Sequence, residues 1–216
     1  MSGYHSERPS LDDIRAAARR IEPHIHRTPV LTCQAIDQVA GCKMFLKCEN
    51  LQKVGAFKAR GASNAVFSLT DDEASHGVVT HSSGNHAQAL AWAAGRRGIP
   101  AHIVMPTNAP MVKKNAVLDY GGIVHDCEPT LESRLKTCAR VAQETGGTVI
   151  PPYDDDRVIA GQGTIALEFL GQVPDLDAIV VPVGGGGMIS GIAICAKALS
   201  PRLEIIGAEP ELADDA

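Results

Sequence analysis

Val181-Pro182-Val183-Gly184-Gly185-Gly186-Gly187-Met188 divides an uncharged stretch, residues 178–196, into two halves. The part before the glycines, 178–183, has the length and apolar character of a buried strand. The part after them, 188–199, reads as a helix. The proline and four glycines at the centre exclude a continuous membrane span, although no charge interrupts the stretch. Glycine loses more conformational freedom on folding than any other residue, so four in a row imply a turn that must stay free of side chains. An anion cradled by successive backbone N–H groups at a helix N-terminus imposes that requirement; tight packing of the turn is the alternative.

The same alternation extends through the chain. Ser10-Leu11-Asp12-Asp13 has capping-box character, and Leu11, Ile14, Ala18 and Ile21 follow at helical spacing, predicting a helix over 11–22. Short apolar runs predict strands at 43–48, 77–81, 101–105, 122–125, 148–150, 178–183 and 203–208. Helical patterns fall between them at 57–68, 85–97, 110–120, 129–145, 157–170 and 188–199. Strands alternating with helices argue an α/β protein with mainly parallel sheets. Asp154-Asp155-Asp156 stands where a helix N-cap and a complement to the helix dipole belong.

The chain has 216 residues, 44% of them hydrophobic and 21% charged, in the range of globular proteins. A net charge of −5 gives no basic surplus of the kind nucleic-acid binding shows. The N-terminus has no apolar signal region. Six scattered cysteines (33, 42, 48, 127, 138 and 195) form no C-x-x-C pair and read as reduced core thiols of a cytoplasmic protein.

Two further segments carry chemistry. Gly55-Ala56-Phe57-Lys58-Ala59-Arg60-Gly61-Ala62 places a lysine among small and aromatic residues at a helix start. Lysine forms Schiff bases with carbonyl compounds once its surroundings make the amine nucleophilic; an exposed lysine is the plain alternative. His81-Ser82-Ser83-Gly84-Asn85-His86 joins a strand to a helix, where backbone N–H groups point outward beside the donors of Ser83 and Asn85. Simple N-capping by Ser83 is the alternative. Gly161-Gln162-Gly163-Thr164-Ile165-Ala166 matches G-x-G-x-x-A but sits inside a helical pattern, so it does not read as a dinucleotide fingerprint. No P-loop motif and no zinc grouping is present. His24 and His26 read as surface residues, and His86 adjoins the candidate site.

Glu49-Asn50-Leu51-Gln52 leading into the Lys58 segment, the Ser82-Ser83-Gly84-Asn85-His86 turn, and Pro182 to Met188 together resemble the pyridoxal-phosphate enzymes of the tryptophan-synthase-β fold. Within that fold the chain is similar to the serine/threonine dehydratase and serine racemase group, from about residue 10 to Ala216. Cysteine synthases resemble it less, because their lysine segment usually carries an acidic residue after the lysine.

The resemblance implies a two-domain, three-layer α/β/α architecture with mainly parallel sheets. A small domain, 78–152, is inserted into a large domain made of 1–77 and 153–216. It implies Lys58 as the lysine that carries the cofactor aldehyde and as the base on one face. Phe57 packs by the pyridine ring, Asn85 bonds the ring hydroxyl, and Gly184, Gly185, Gly186, Gly187 and Met188 hold the phosphate. Ser82, Ser83, Gly84, Asn85 and His86 bind the substrate carboxylate. A serine at position 83 implies a second acid/base group opposite the lysine, as in the racemase-like branch. In that branch a divalent cation has ligands that map to Glu209, Ala213 and Asp215, and such hard oxygen donors suit Mg²⁺ or Ca²⁺.

The implied reaction is dehydration and deamination of hydroxy amino acids such as serine or threonine to a 2-oxo acid and ammonia, with racemisation alongside. The implied setting is a cytoplasmic homodimer acting on a small amino acid, with no nucleic-acid or membrane partner. Family members are longer, and the resemblance implies that the large domain is incomplete here and lacks the residue that bonds the pyridine nitrogen. A polypeptide of this extent is expected to be unstable or inactive unless it is a fragment of a longer protein. A non-catalytic cofactor-binding product of the same fold, and a nicotinamide dehydrogenase, are the alternatives.

Overall fold

The structure is a computed structural model that describes residues 9–212. The chain opens with helix α1 (Leu11–Ile21), whose capping box is formed: Ser10 Oγ accepts from the Asp13 N–H, and Asp13 Oδ2 accepts from the Ser10 N–H at 2.8 Å. Strand β1 (Val30–Leu31), helix α2 (Gln34–Ala40) and strand β2 (Leu46–Lys47) follow, β1 and β2 pairing antiparallel. Only two residues of the strand expected at 43–48 are extended and paired, and β1 and α2 were not expected. Helix α2 has no buried residue, so no apolar stripe announces it.

Helix α3 (Lys58–Phe67) leads through the short α4 (Asp71–Ser75) to strand β3 (Val78–His81). Then come α5 (Asn85–Arg97), β4 (Ala101–Pro106), α6 (Met111–Asp119), β5 (Ile123–Cys127), α7 (Leu131–Thr145) and β6 (Thr148–Val149). The four strands form one parallel sheet in the order β5-β4-β3-β6. Parallel pairing needs crossovers, and the helices between strands cover both faces. On one face Val78, Ile103 and Met105 pack with Leu90 of α5, Val117 of α6 and Val66 of α3. On the other, Val79 and Val104 pack with Cys138 and Val141 of α7.

Helix α8 (Asp156–Gln172), strand β7 (Ala178–Pro182), helix α9 (Gly187–Leu199) and strand β8 (Glu204–Ala208) complete the chain, β7 and β8 pairing in parallel. Asp155 caps α8, its carboxylate accepting from the Arg157 and Val158 N–H groups. A second core joins Ile14 and Ala17 of α1, Ile165 and Phe169 of α8, Ile179 and Val181 of β7, and Ile192 and Cys195 of α9. Each large side chain so buried contributes about 1.5–3 kcal/mol.

The G-x-G-x-x-A run lies inside α8 and serves helix packing. A Cβ on Gly161 would fall 2.6 Å from Gly61 Cα, so the two glycines let α8 and α3 approach backbone to backbone. Two other readings are corrected. All six cysteines are free, but only Cys127, Cys138 and Cys195 are buried, whereas Cys33 and Cys42 are exposed. His24 is not a plain surface residue: its ring stacks on Phe67, with centroids 3.8 Å apart. Among the described residues, no helix is long and apolar enough to cross a membrane.

Candidate active site

Lys58 is the first residue of α3, and two elements fix where α3 begins. Two residues on, Arg60 is 1% exposed and is held from several directions. Its guanidinium donates bidentately to Glu49 (2.7 Å to each oxygen), to Thr164 Oγ1 (3.2 Å) and to Glu168. Lys47 completes the network, 3.1 Å from Glu168 and donating to the Thr28 carbonyl and Gln172. Two cations face two carboxylates, so the buried charges balance. Gln52, also buried, clamps the preceding loop through both backbone groups of His26. The Glu49-Asn50-Leu51-Gln52 motif is therefore the anchor of α3 rather than part of the cavity wall.

The Lys58 side chain leaves this anchor in the opposite sense. Its Nζ donates to the Pro152 carbonyl and lies 5.2 Å from the centroid of the Phe57 ring. Burial lowers its pKa from the usual 10.5 to about 8. With that value about a quarter of the amines are neutral at pH 7.5, against about one in a thousand for a free lysine. A buried amine with a lowered pKa is what carbonyl capture requires.

The tetraglycine turn faces it. Phe57, Lys58, Tyr153, Pro182, Gly184 to Gly187 and Met188 line one cavity of ≈ 290 Å³, with Val183 and Ile189. Gly186 sits at φ 79°, a left-handed conformation, and α9 begins after it with no side-chain cap. Its first N–H groups therefore have no side-chain acceptor, and with the helix dipole they favour an anion. Gly184 has neither a positive φ nor any atom within 4 Å of an added Cβ, so no contact within the protein requires glycine there. An amine at one end and an uncapped helix N-terminus at the other fit an aldehyde that also bears a phosphate.

The Ser82–His86 turn is not in the lining of this cavity. It lies at the C-terminal end of β3 and opens α5, but Ser83 is not the cap: Gly84 is, and no side chain bonds the first turn. His86 is 2% exposed. The Ile150 carbonyl can only accept, so His86 Nε2 carries the proton and donates to it at 3.0 Å. Burial above all pushes the His86 pKa down to about 4, and the Lys58 charge adds to the effect, so this imidazole is neutral at physiological pH. Asn85 is exposed and Ser82, Ser83 and Gly84 are half-buried.

Of the tail residues, Glu209 follows β8 and is half-buried, whereas Ala213 and Asp215 lie outside the described residues. Among the described residues no group of three His, Cys, Asp or Glu side chains could hold a metal ion. Tyr153 was not foreseen from the sequence, yet it lines the cavity beside the glycines. Its one sequence cue is its place after Pro151-Pro152 and before the Asp155 cap.

Residues 21–216 match the family described as pyridoxal-phosphate dependent enzyme. The chain is 54% identical over 208 residues to the beta-hydroxyaspartate dehydratase of Paracoccus denitrificans, covering 96% of this chain and 66% of that protein. It is 56% identical over 203 residues to the serine racemase of Arabidopsis thaliana, covering 94% and 61%. The structure of maize serine racemase superposes with a TM-score of 0.96 at 53% identity, covering 97% of this chain and 64% of that one. The chain thus spans just under two thirds of the length of these relatives, whose mixed α/β fold with parallel sheets it shares.

Proposed function

The chain belongs to the pyridoxal-phosphate dependent enzymes, and from that membership we propose that it eliminates water from a small β-hydroxy amino acid and then, with one water consumed in hydrolysis, releases ammonia, leaving a 2-oxo acid. Serine, threonine and 3-hydroxyaspartate are the substrate class, and return of the Cα proton to the opposite face gives racemisation. The observation that carries this reading is Lys58: a half-buried amine of pKa about 8 that lines the same cavity as the uncapped tetraglycine turn. The dehydratase and racemase relatives support the choice of reaction.

When bound, pyridoxal phosphate supplies an aldehyde for an amine and a conjugated ring that spreads the negative charge left when a proton leaves Cα. Gly184 to Gly187 and the Met188 N–H would hold the phosphate, Phe57 would pack by the ring and Asn85 would bond its hydroxyl. With its amine free, Lys58 would take the Cα proton at Nζ. Ser82, Ser83, Gly84, Asn85 and His86 would receive the substrate carboxylate, and the Ser83 hydroxyl would be the second acid/base group. The β-hydroxyl departs as water with one proton, and hydrolysis releases ammonia.

The division into 78–152 and the remainder belongs to the same proposal, supported by the four-stranded sheet, which lies wholly within residues 78–149. A reducing, cytoplasmic setting is supported by the free, exposed Cys33 and Cys42. A divalent cation held by Glu209 with Ala213 and Asp215 is tested by Mg²⁺ titration: Glu209→Gln should remove any thermal stabilisation the ion gives.

The deciding experiment presents D- and L-serine, threonine and 3-hydroxyaspartate, and measures 2-oxo acid together with the handedness of recovered substrate. Turnover of none of them, with the cofactor bound, would favour a non-catalytic binding protein. The pH dependence of cofactor capture is a separate check. Its rate should rise about tenfold per pH unit up to about pH 8, as Lys58 loses its proton, and then level off.

A further inference from the structure

Ile150 to Tyr153, the first four of the six residues between β6 and α8, touch three segments of the candidate site. The Ile150 carbonyl accepts from His86 at the start of α5. The Pro152 carbonyl accepts from Lys58 at the start of α3. Tyr153 lies against the tetraglycine turn: a Cβ on Gly185 would fall 2.2 Å from the ring atom Cδ1 and 2.3 Å from Cγ. The backbone of Tyr153 fills the space beside Gly187 in the same way, its carbonyl oxygen 2.7 Å from where a Cβ would stand. Gly184 and Gly186 have open space at the corresponding positions. The turn is thus packed against Tyr153 at Gly185 and Gly187, while among the described residues nothing lies within 4 Å of an added Cβ at Gly184 or Gly186.

Four consecutive glycines have more backbone freedom than any other tetrapeptide, and an anion that binds them must bear the cost of ordering them. A ring packed on Gly185 removes part of that freedom beforehand. We propose that Tyr153 is a positioning residue: its ring holds the Gly184–Met188 turn in the conformation that receives the anionic end of the ligand, and the strap that carries it ties this turn to the Lys58 amine. The proposal rests on the cavity being the pyridoxal-phosphate site. It makes the aldehyde end and the anion end respond to different substitutions.

The test titrates the protein with pyridoxal phosphate and, separately, with pyridoxal, which keeps the aldehyde and ring but has no phosphate. Binding is followed by absorbance and melting temperature is recorded without ligand. Tyr153→Ala should bind pyridoxal phosphate about tenfold more weakly and pyridoxal within about twofold of wild type, since the lost preorganisation concerns only the phosphate end. Tyr153→Phe should restore the affinity, because the ring and not the hydroxyl touches Gly185. Gly185→Ala should weaken pyridoxal phosphate by pushing the ring away, and adding Tyr153→Ala should cost no more, so the two substitutions are non-additive. Should Tyr153→Ala fail to fold, Gly185→Ala carries the same ligand comparison.

A Tyr153→Ala protein that binds pyridoxal phosphate like wild type overturns the proposal while leaving the cofactor reading intact. Equal weakening for both ligands, tracking a lower melting temperature, also overturns it, since that is a general loss of structure. Wild-type protein that captures neither ligand overturns the cofactor reading and this proposal with it.

Discussion

Lys58 and Gly184 face the same cavity from different elements, and they are held there by different physics. The amine end is fixed by side chains. Arg60, two residues along α3, is bonded to Glu49, which precedes α3, and to Thr164 and Glu168 of α8, more than a hundred residues later in the chain. The anion end is shaped mainly by backbone: a left-handed Gly186, an uncapped α9 and open space beside Gly184, with the Tyr153 ring packed on Gly185. The first end depends on long-range charge pairing and the second on local backbone geometry. Substitutions should therefore damage the fold at one end and the ligand affinity at the other.

The largest effect is expected at Lys58 itself. Lys58→Ala should abolish the visible absorbance of the bound cofactor and lower 2-oxo acid formation by on the order of 10²–10⁴-fold or more, the span expected from losing proton transfer alone. The melting temperature should hold or rise, because the substitution removes a buried amine whose charged form burial disfavours. A retained absorbance band would assign the aldehyde to another lysine and break the comparison at its first point.

Arg60→Met should do the reverse. It leaves Glu49 and Glu168 with only Lys47 and the largely exposed Arg27 opposite, and breaking such a network costs about 3–5 kcal/mol. For a chain of this size that is a fall of roughly 10 °C in melting temperature. Loss of turnover without loss of stability would show that Arg60 acts on the chemistry and not as an anchor.

Gly184→Ala is the matching probe at the anion end. Its methyl has room, so the melting temperature should stay unchanged, yet it occupies the side from which a ligand reaches the backbone. Affinity for pyridoxal phosphate should fall about tenfold, as for one charge-assisted hydrogen bond lost. Unchanged affinity would mean that the phosphate does not approach Gly184.

The two ends also differ in how far the sequence shows them. The turn before α9 is legible because glycine spacing after an apolar run reports local conformation directly, and strands β3 to β8 are legible for the same reason: they lie between well-marked helices. Lys58 is legible as a lysine in an unusual setting. Its anchor is not, because nothing local to Arg60 says that Thr28, Glu49, Thr164 and Glu168 converge on it. Tyr153 escaped notice for the same reason, since its contact with Gly185 is tertiary. Helix α4 was missed despite a readable signal: Thr70 and Glu73 form a capping box in its first turn.

His86 couples the two parts of the chain and carries the smallest predicted effect. It donates through Nε2 to Ile150, while its Nδ1 is buried and has no partner. Burial above all, with the Lys58 charge adding to it, lowers the folded pKa from 6.5 to about 4, and protonation would place a second N–H where no partner stands among the described residues. Between these two values the unfolded chain binds the proton and the folded chain does not. Stability attributable to His86 is therefore complete above pH 6.5 and is lost as the pH falls towards 4, at no more than about 1.4 kcal/mol per pH unit. Urea titrations from pH 7 to pH 4 should show this slope in the wild type and a shallower one in His86→Gln, whose amide can keep the bond to Ile150 without titrating. Equal slopes would mean that the strap between β6 and α8 is not held through a neutral histidine. The coupling between the amine end and the rest of the site would then rest on Pro152 alone.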